Sequence, residues 1–174
     1  GADITADQGI SIATDITLFG DPDEVITVST DGTPGSNISI GGDISNTDGE
    51  SLVFDSGDDG DLTITGDITL TDGPSTPGVG GDLTINTAND VLISGILDLT
   101  GDLDFTGNDL TINGGPNNRI GGDLRVTNDG TFTTGNNADL TIGGELIQDG
   151  SGDNTIGADI TADQGISIAT DITL

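Results

Sequence analysis

The sequence predicts an all-β fold, a parallel β-solenoid, and three observations support that prediction. Short segments in which apolar and polar residues alternate, such as DITL, NISI and DLTI, recur along the 174 residues. A corner motif separates many of them: an aliphatic residue, any residue, Gly or Ala, then an acid. The segment GADITADQGISIATDITL at residues 1–18 also recurs unchanged at 157–174. Strands of about four residues need a repeating scaffold that stacks them.

The alternating segments are interpreted as half-buried strands. Their apolar residues fall on one face and Thr, Ser or Asp on the other, which is the period of a β-strand. No stretch places apolar residues at the i, i+3, i+4 and i+7 positions of a helix. We therefore expect inward Ile, Leu and Val side chains to stack from turn to turn. The four phenylalanines are expected to fill the core at wide corners: Phe19, Phe54, Phe105 and Phe132.

The corner motif predicts the length of a turn. From Leu18 to its copy Leu174 the motif divides 156 residues into eight intervals, a mean of 19.5 residues. The sequence thus predicts about eight turns of roughly 20 residues, each with about three strands, and a rise of about 38 Å per 156 residues. Right-handed coiling is the default for parallel connections, and glycine suits corners because it tolerates positive φ. The two short intervals, of 15 and 14 residues after Ile64 and Ile142, indicate a lost strand or a register shifted by one corner.

The repeated segment predicts the domain organisation. Residues 1–156 are interpreted as one complete β-solenoid unit, and residues 157–174 as the start of the next identical unit. The expected partners are therefore identical units stacked end to end, either in the same chain or in a neighbouring chain. Stacked repeats of this kind contact only their neighbours along the rod.

The composition excludes several classes of partner. The chain has 31 acidic residues against two arginines, Arg119 and Arg125, for a net charge of −29. Nucleic acid is excluded because phosphates require basic groups, and no segment predicts insertion into a membrane. Cys, Met, Trp, Tyr and His are all absent. A chain without these readily oxidised side chains suits a long-lived material, so we expect an extracellular or cell-surface location.

The strings GGDLTI, GDITL and NDLTINGG, in turns of about twenty residues, resemble the shafts of filamentous-haemagglutinin-type adhesins and related bacterial β-strand-repeat surface proteins. The resemblance covers the whole chain, but it depends on a degenerate pattern and no fixed functional residue. It implies a right-handed β-helical rod that is secreted or displayed for adhesion or matrix building. The acidity of this chain and its unchanged long repeat depart from that family.

The corner acids are expected to form one column along the rod: Asp3, Asp21, Asp43, Asp67, Asp82, Asp102, Asp123 and Glu145. Two charges about 4.8 Å apart repel by about 0.9 kcal/mol in water, so something must offset the column. Two interpretations remain open. Either each carboxylate accepts a hydrogen bond from a backbone N–H in its own turn, or Ca²⁺ bridges neighbouring turns.

Two acidic segments are the candidate calcium sites. Their ligands would be Asp55, Asp58, Asp59 and Asp61 in the first segment, and Asp21, Asp23 and Glu24 in the second. Neither segment has the spacing of an EF-hand loop, and the calcium β-roll pattern is matched only in part. Zinc is not expected without His or Cys, and no cofactor is required.

The predicted function is structural: a segment of an extracellular filament or surface stalk. One alternative is a calcium-dependent adhesin shaft that binds glycans or surfaces through its loops. A remote alternative is a polysaccharide-degrading β-helix enzyme that uses paired carboxylates. Acids occur in every turn and no pair stands out, and the chain has no Lys, His or Tyr to act as a base. We therefore predict no enzymatic activity and no catalytic residue.

Overall fold

The computed structural model describes residues 2–30, 36–57, 59–74, 78, 80–87 and 89–174. Two positions singled out by the sequence, Asp58 of the first calcium candidate and Val79 of a corner motif, lie outside these residues. The described residues form 23 short β-strands and no helix, which confirms the all-β class.

The strands follow one another along the chain with brief connections. The first twelve are β1 (Ile4–Ala6), β2 (Ile10–Ile12), β3 (Ile16–Leu18), β4 (Val25–Thr30), β5 (Ile38–Ile40), β6 (Ile44–Asn46), β7 (Ser51–Gly57), β8 (Leu62–Ile64), β9 (Ile68–Leu70), β10 (Leu83–Thr87), β11 (Val91–Ile93) and β12 (Leu97–Leu99). The remaining eleven are β13 (Leu103–Gly107), β14 (Leu110–Ile112), β15 (Asn118–Ile120), β16 (Leu124–Asn128), β17 (Phe132–Thr134), β18 (Leu140–Ile142), β19 (Glu145–Gln148), β20 (Asn154–Ile156), β21 (Ile160–Ala162), β22 (Gly165–Ile168) and β23 (Ile172–Thr173).

The strands build three parallel sheets. Sheet A contains β1 and every third strand to β22, sheet B runs from β2 to β23, and sheet C runs from β3 to β21. Within each sheet a strand pairs with the strands three before and three after it in the chain. The backbone therefore passes through A, B and C in order and then climbs one turn, which confirms the parallel β-solenoid. The described residues complete seven turns and two strands of an eighth.

The turns are longer than the motif spacing predicts. One turn spans 24 residues from Ile4 to Val28, 31 from Phe54 to Ile85, and 20 from Ile85 to Phe105. The reason is that the motif marks two different corners. At Ile40, Ile64 and Ile156 it joins sheet B to sheet C, whereas at Leu18, Leu99, Ile120 and Ile142 it joins sheet C to sheet A. Each short interval therefore runs from one kind of corner to the other and covers only part of a turn. This agrees with the second interpretation, a register shifted by one corner.

The interior is a stack of aliphatic and aromatic side chains. Phe54, Phe105 and Phe132 are at most 1% exposed, which confirms that they fill the core, but they lie on strands and not at the predicted wide corners. The prediction for Phe19 is wrong, because its side chain is 72% exposed. Phe19 directly follows β3 and begins the connection to β4, so it lies outside the alternation that turns strand residues inward.

Buried amides occupy some inward positions next to corners. The Gln148 amide, on β19, donates to Asn128 Oδ1 at 2.8 Å and to the Gly150 carbonyl at 3.1 Å. The Asn118 side chain accepts the Leu97 N–H at 3.0 Å. These side chains replace hydrophobic residues where the backbone leaves a strand, and they satisfy peptide groups that the sheets do not pair.

Close approach between turns, more than positive φ, requires glycine at the corners. Among the described motif glycines only Gly80 and Gly81 have positive φ. A Cβ at Gly122 would instead lie 1.9 Å from Asp102 Oδ1, and one at Gly66 would lie 2.1 Å from the Gly42 carbonyl oxygen. At the C–A corner the acid of one turn occupies the space beside the glycine of the next, at Gly101, Gly122 and Gly144, whereas at Gly66 the backbone of the previous turn occupies it.

This contact predicts a large difference between two glycine substitutions. Gly122→Ala must displace the Asp102 carboxylate, and we expect it to lower the free energy of unfolding by about 2 kcal/mol or more. Gly115→Ala is the matched control, since its Cβ would meet only Ile96 Cδ1 at 3.6 Å, an ordinary contact. We expect a change of less than about 0.5 kcal/mol for the control. Denaturant unfolding of both variants measures the difference, and equal stabilities would contradict the steric explanation.

Candidate functional site: acidic columns and the repeated segment

Acidic residues line all three corners of the solenoid, where the sequence predicted one column. We call these three sets the acidic columns. The C–A column contains Asp3, Asp82, Asp102, Asp123 and Glu145; the B–C column contains Asp15, Asp43, Asp67, Asp139 and Asp159; the A–B column contains Asp61, Asp90, Asp109, Asp153 and Asp171. The predicted single column is wrong because its members divide between two corners. Asp21 lies at the C–A corner, in the connection between β3 and β4, but outside the column, since the residue of that turn that bonds Asp3 is Thr27.

Carboxylates of the columns bind the backbone of the next turn. In the B–C column the Asp43 N–H donates to Asp15 Oδ1 at 3.0 Å, and the Asp67 N–H donates to Asp43 Oδ1 at 2.9 Å. In the C–A column Asp102, Asp123 and Glu145 donate in the same way to the acid one turn earlier, at 2.7 to 2.9 Å. Hydrogen bonds to a charged acceptor contribute about 1.5–3 kcal/mol each. The acids thus hold successive turns together through hydrogen bonds between turns, whereas one interpretation of the sequence predicts bonds within a turn.

Both arginines lie among these acids. Arg125, on β16, approaches Asp102 at 3.5 Å and Asp104 at 3.7 Å and also pairs with Asp123. Arg119 pairs with Asp98 at 3.5 Å. Partial burial raises the pKa of Asp104 above its ordinary value, the charges of Asp102 and Asp82 raise it further, and Arg125 offsets this only in part. Each arginine is half exposed, so these pairs reduce local repulsion without adding much stability.

The first calcium candidate is divided by the fold. Asp55 lies on β7 and accepts the Gly57 N–H at 3.1 Å, whereas Asp59 is exposed in the short connection between β7 and β8. Asp61 belongs to the A–B column. Its Oδ1 accepts hydrogen bonds from the Asn89 side chain and from the Asp90 N–H at 3.4 Å, and its Oδ2 accepts one from the Asn37 side chain at 3.3 Å. The oxygens of Asp61 are therefore already engaged by neighbouring turns.

The second candidate forms a tight turn before β4. The Glu24 side chain accepts the Asp21 N–H at 3.2 Å, and the Asp21 carbonyl accepts the Glu24 N–H at 3.1 Å. Asp23 has a φ of 67°. Among the residues that the structure describes, no three acidic side chains are grouped to hold a metal ion. Calcium binding therefore stays a prediction for both segments.

Glu50 is a buried acid that no sequence motif marks as a candidate site. It is fully buried, and its carboxylate accepts N–H bonds from Thr47 at 3.0 Å and from Asp48 at 2.8 Å. Burial alone would raise the pKa of Glu50, but backbone N–H groups of Asp48, Glu50, Thr47 and Gly20 outweigh it, and the pKa is lowered. Because Gly20 belongs to the previous turn, this carboxylate links two connections. Its only sequence signal is a glutamate directly before a strand.

The two copies of the repeated segment occupy different faces. In the first copy the strands β1, β2 and β3 lie in sheets A, B and C. In the second copy the corresponding strands β21, β22 and β23 lie in sheets C, A and B. The first copy pairs with the turn that follows it, and the second pairs with the turn that precedes it.

Both copies keep the same residues facing inward. Ile10 pairs with Ile38 in the first copy, and its counterpart Ile166 pairs with Leu146 in the second. The two copies differ in burial at this position, since Ile10 is 8% exposed and Ile166 is 52% exposed. A register shift of one residue would reverse the inward face. The segment is therefore compatible with a turn on either side, and each copy shows one of them.

The chain matches no protein-family model, no curated protein and no solved structure. The resemblance to haemagglutinin-type shafts therefore stays a prediction from the sequence. The described part of the chain contains no helix long and apolar enough to cross a membrane.

The contacts of Asp61 predict that Asp61 contributes more to the free energy of unfolding than the nearby Asp59. Asp61→Ala removes the acceptor for two asparagine side chains and one backbone N–H, and we expect a loss of about 1–3 kcal/mol in unfolding free energy with chelator present. The control Asp59→Ala removes an exposed side chain and should change it by less than about 0.5 kcal/mol. Thermal unfolding in EDTA measures both. Comparable losses in the two variants would contradict the hydrogen-bonding role given to Asp61.

Glu50 predicts a pH-dependent contribution to stability. Its folded pKa lies below the ordinary value of 4.5, so its contribution is present above pH 4.5 and lost as the pH falls through the folded pKa. We expect Glu50→Gln to be less stable than wild type by about 1–3 kcal/mol at pH 7, with the difference shrinking below pH 4.5. Denaturant unfolding between pH 7 and 3 measures the difference. Glu145→Gln is the control and should differ little from wild type at pH 7, because Glu145 contacts the previous turn through its N–H and not through its half-buried carboxylate.

Proposed function

We propose that the chain is part of a structural rod, an extracellular filament or cell-surface stalk built from identical 156-residue units stacked end to end. The observation that carries the proposal is the repeated segment. The chain shows the same eighteen residues with a turn above them in one copy and a turn below them in the other, in the same inward register. Combining the two environments gives a junction in which every strand of the segment is paired on both edges.

The apolar contacts at such a junction are complementary. Ile160 stacks on Leu140, and its counterpart Ile4 stacks beneath Val28. Leu140 and Val28 are each 1% exposed, so both neighbours already face a closed interior. A unit joined at this segment would cover the inward face of Ile166 with a further turn, as β5 covers Ile10 in the first copy. Head-to-tail contacts of this kind form open filaments because the interface does not close on itself.

The acidic columns would also continue through the junction. The Asp159 N–H donates to Asp139 Oδ1 at 3.2 Å, and the counterpart Asp3 accepts the Thr27 N–H at 2.9 Å on Oδ1. One aspartate at the junction would thus donate to the turn below and accept from the turn above. The direction of the bond is the same as in the interior of the unit, where the upper turn supplies the N–H and the lower turn supplies the carboxylate.

The surface supports a location outside the cell. A net charge of −29 attracts cations and suits a salt-rich medium, and the absent oxidisable side chains suit a durable material. Adhesion through the loops is compatible with the same rod and would be an added role. Ten of the fifteen column carboxylates accept a backbone N–H of the next turn, an arrangement that supports a role in holding turns together.

The test is a longer chain in which a complete unit precedes this one, so that residues 1–156 are followed by 1–174. We expect small-angle scattering to show one rigid rod, longer than the 174-residue chain by about 32 Å, since a unit of twenty strands makes six and two-thirds turns at about 4.8 Å per turn. This value replaces the 38 Å expected from eight turns.

The control carries a charge at the junction only. Ile4 of the second unit, which is 39% exposed where no unit lies below it, is replaced by Asp, which buries an unpaired carboxylate only if the two units stack. We expect this variant to unfold in two separated transitions, whereas the unaltered chain unfolds as one array. Two bodies joined flexibly in the unaltered chain would overturn the proposed function.

A further inference from the structure

We infer that successive units of the rod are turned by one face of the triangular cross-section, so that identical units follow a three-fold screw. The inference rests on the proposed stacking of units and adds the geometry of that stacking. It comes from the two copies of the repeated segment, which lie on sheets A, B, C and on sheets C, A, B within one chain.

The rotation by one face between successive units follows from the number of strands in a unit. β21 is the twentieth strand after β1, and three strands make a turn. Twenty is not a multiple of three, so a unit ends two strands into its seventh turn. The next unit must begin on sheet C where the first began on sheet A. The sheet assignment is fixed by strand pairing, and it does not depend on the length of any connection.

The B–C column shows the change of face at the level of hydrogen bonds. Asp159 lies at the B–C corner, where it donates to Asp139 at 3.2 Å. Its counterpart Asp3 precedes β1 of sheet A and therefore lies at the C–A corner. A column that runs along one edge of the rod is thus built from the B–C acids of one unit and from the C–A acids of the next.

Three units are needed before any feature returns to the same face. Sixty strands make twenty whole turns, a distance of about 96 Å. Within that length the Arg125 cluster, exposed Phe19 and the connection of residues 71–82 each occur once on every face. A lateral partner, such as a second copy of the rod, would meet the same set of groups on all three faces, each displaced by about 32 Å along the axis.

Disulfide cross-linking tests the change of face in the chain itself, which has no cysteine. Thr141 and Thr161 are register partners on sheet C and both are exposed. Neighbouring strands lie about 4.8 Å apart, within the Cα separations that a disulfide accepts. Thr5 and Ser29, partners on sheet A with hydroxyl oxygens 3.4 Å apart, provide the matched pair for the first copy. An unturned second copy would instead place Thr161 on sheet A, next to the outward residues of β19 such as Ile147.

We expect the pairs Thr141→Cys with Thr161→Cys and Thr5→Cys with Ser29→Cys to oxidise nearly completely under mild conditions. The pair Ile147→Cys with Thr161→Cys should remain at least tenfold less oxidised. A preferred bond between positions 147 and 161 would overturn the inference. So would failure of the 141–161 pair while the 5–29 pair forms.

Electron cryomicroscopy of the two-unit rod separates this inference from the proposed function. We expect the 71–82 connections of successive units on adjacent faces, displaced by about 32 Å. A continuous rod that carries them on one face would overturn the screw and leave the stacking intact. Two units that do not form a continuous rod would overturn the stacking, whereas the cross-linking result would still report the face of each copy within a single chain.

Discussion

The vertical contact between a corner glycine and the acid one turn below determines much of this structure. The carboxylate of Asp102 lies where a Cβ of Gly122 would be, and it accepts the N–H of Asp123 at 2.7 Å. Steric fit and hydrogen bonding therefore select the same dipeptide. The same contact recurs at Gly101 and Gly144, where it fixes the height and register of the next turn and so aligns the strands on both sides.

The fold class could be predicted from the sequence because the strand period and the corner motif are local patterns. The number of turns could not, since the motif occurs at two of the three corners and the sequence does not label them. The third corner, with Asp61, Asp90 and Asp109, carries acids without the motif. Phe19 was placed in the core by residue type, but it lies past the end of a strand, where alternation no longer applies.

The sequence predicts which residues line the candidate site, but it does not predict which groups those residues contact. The sequence identifies the acids, yet the hydrogen-bond partner of Asp43 is the N–H of Asp67, 24 residues away. That distance depends on how many residues the intervening corners use. Glu50 illustrates the same limit, because one of the N–H groups that lower its pKa belongs to Gly20, in the previous turn. Long-range pairing therefore has to be known before a carboxylate can be assigned a role.

The unequal connections have a mechanical consequence for a rod of stacked units. Twelve residues separate β9 from β10, the longest interval between consecutive strands, and a connection of unequal length at one corner would give each unit a small intrinsic bend. If every unit bent towards the same edge, the rod would curve steadily. Successive bends directed towards three different edges cancel over three units, so a straight fibre with no preferred bending plane can arise from an asymmetric building block.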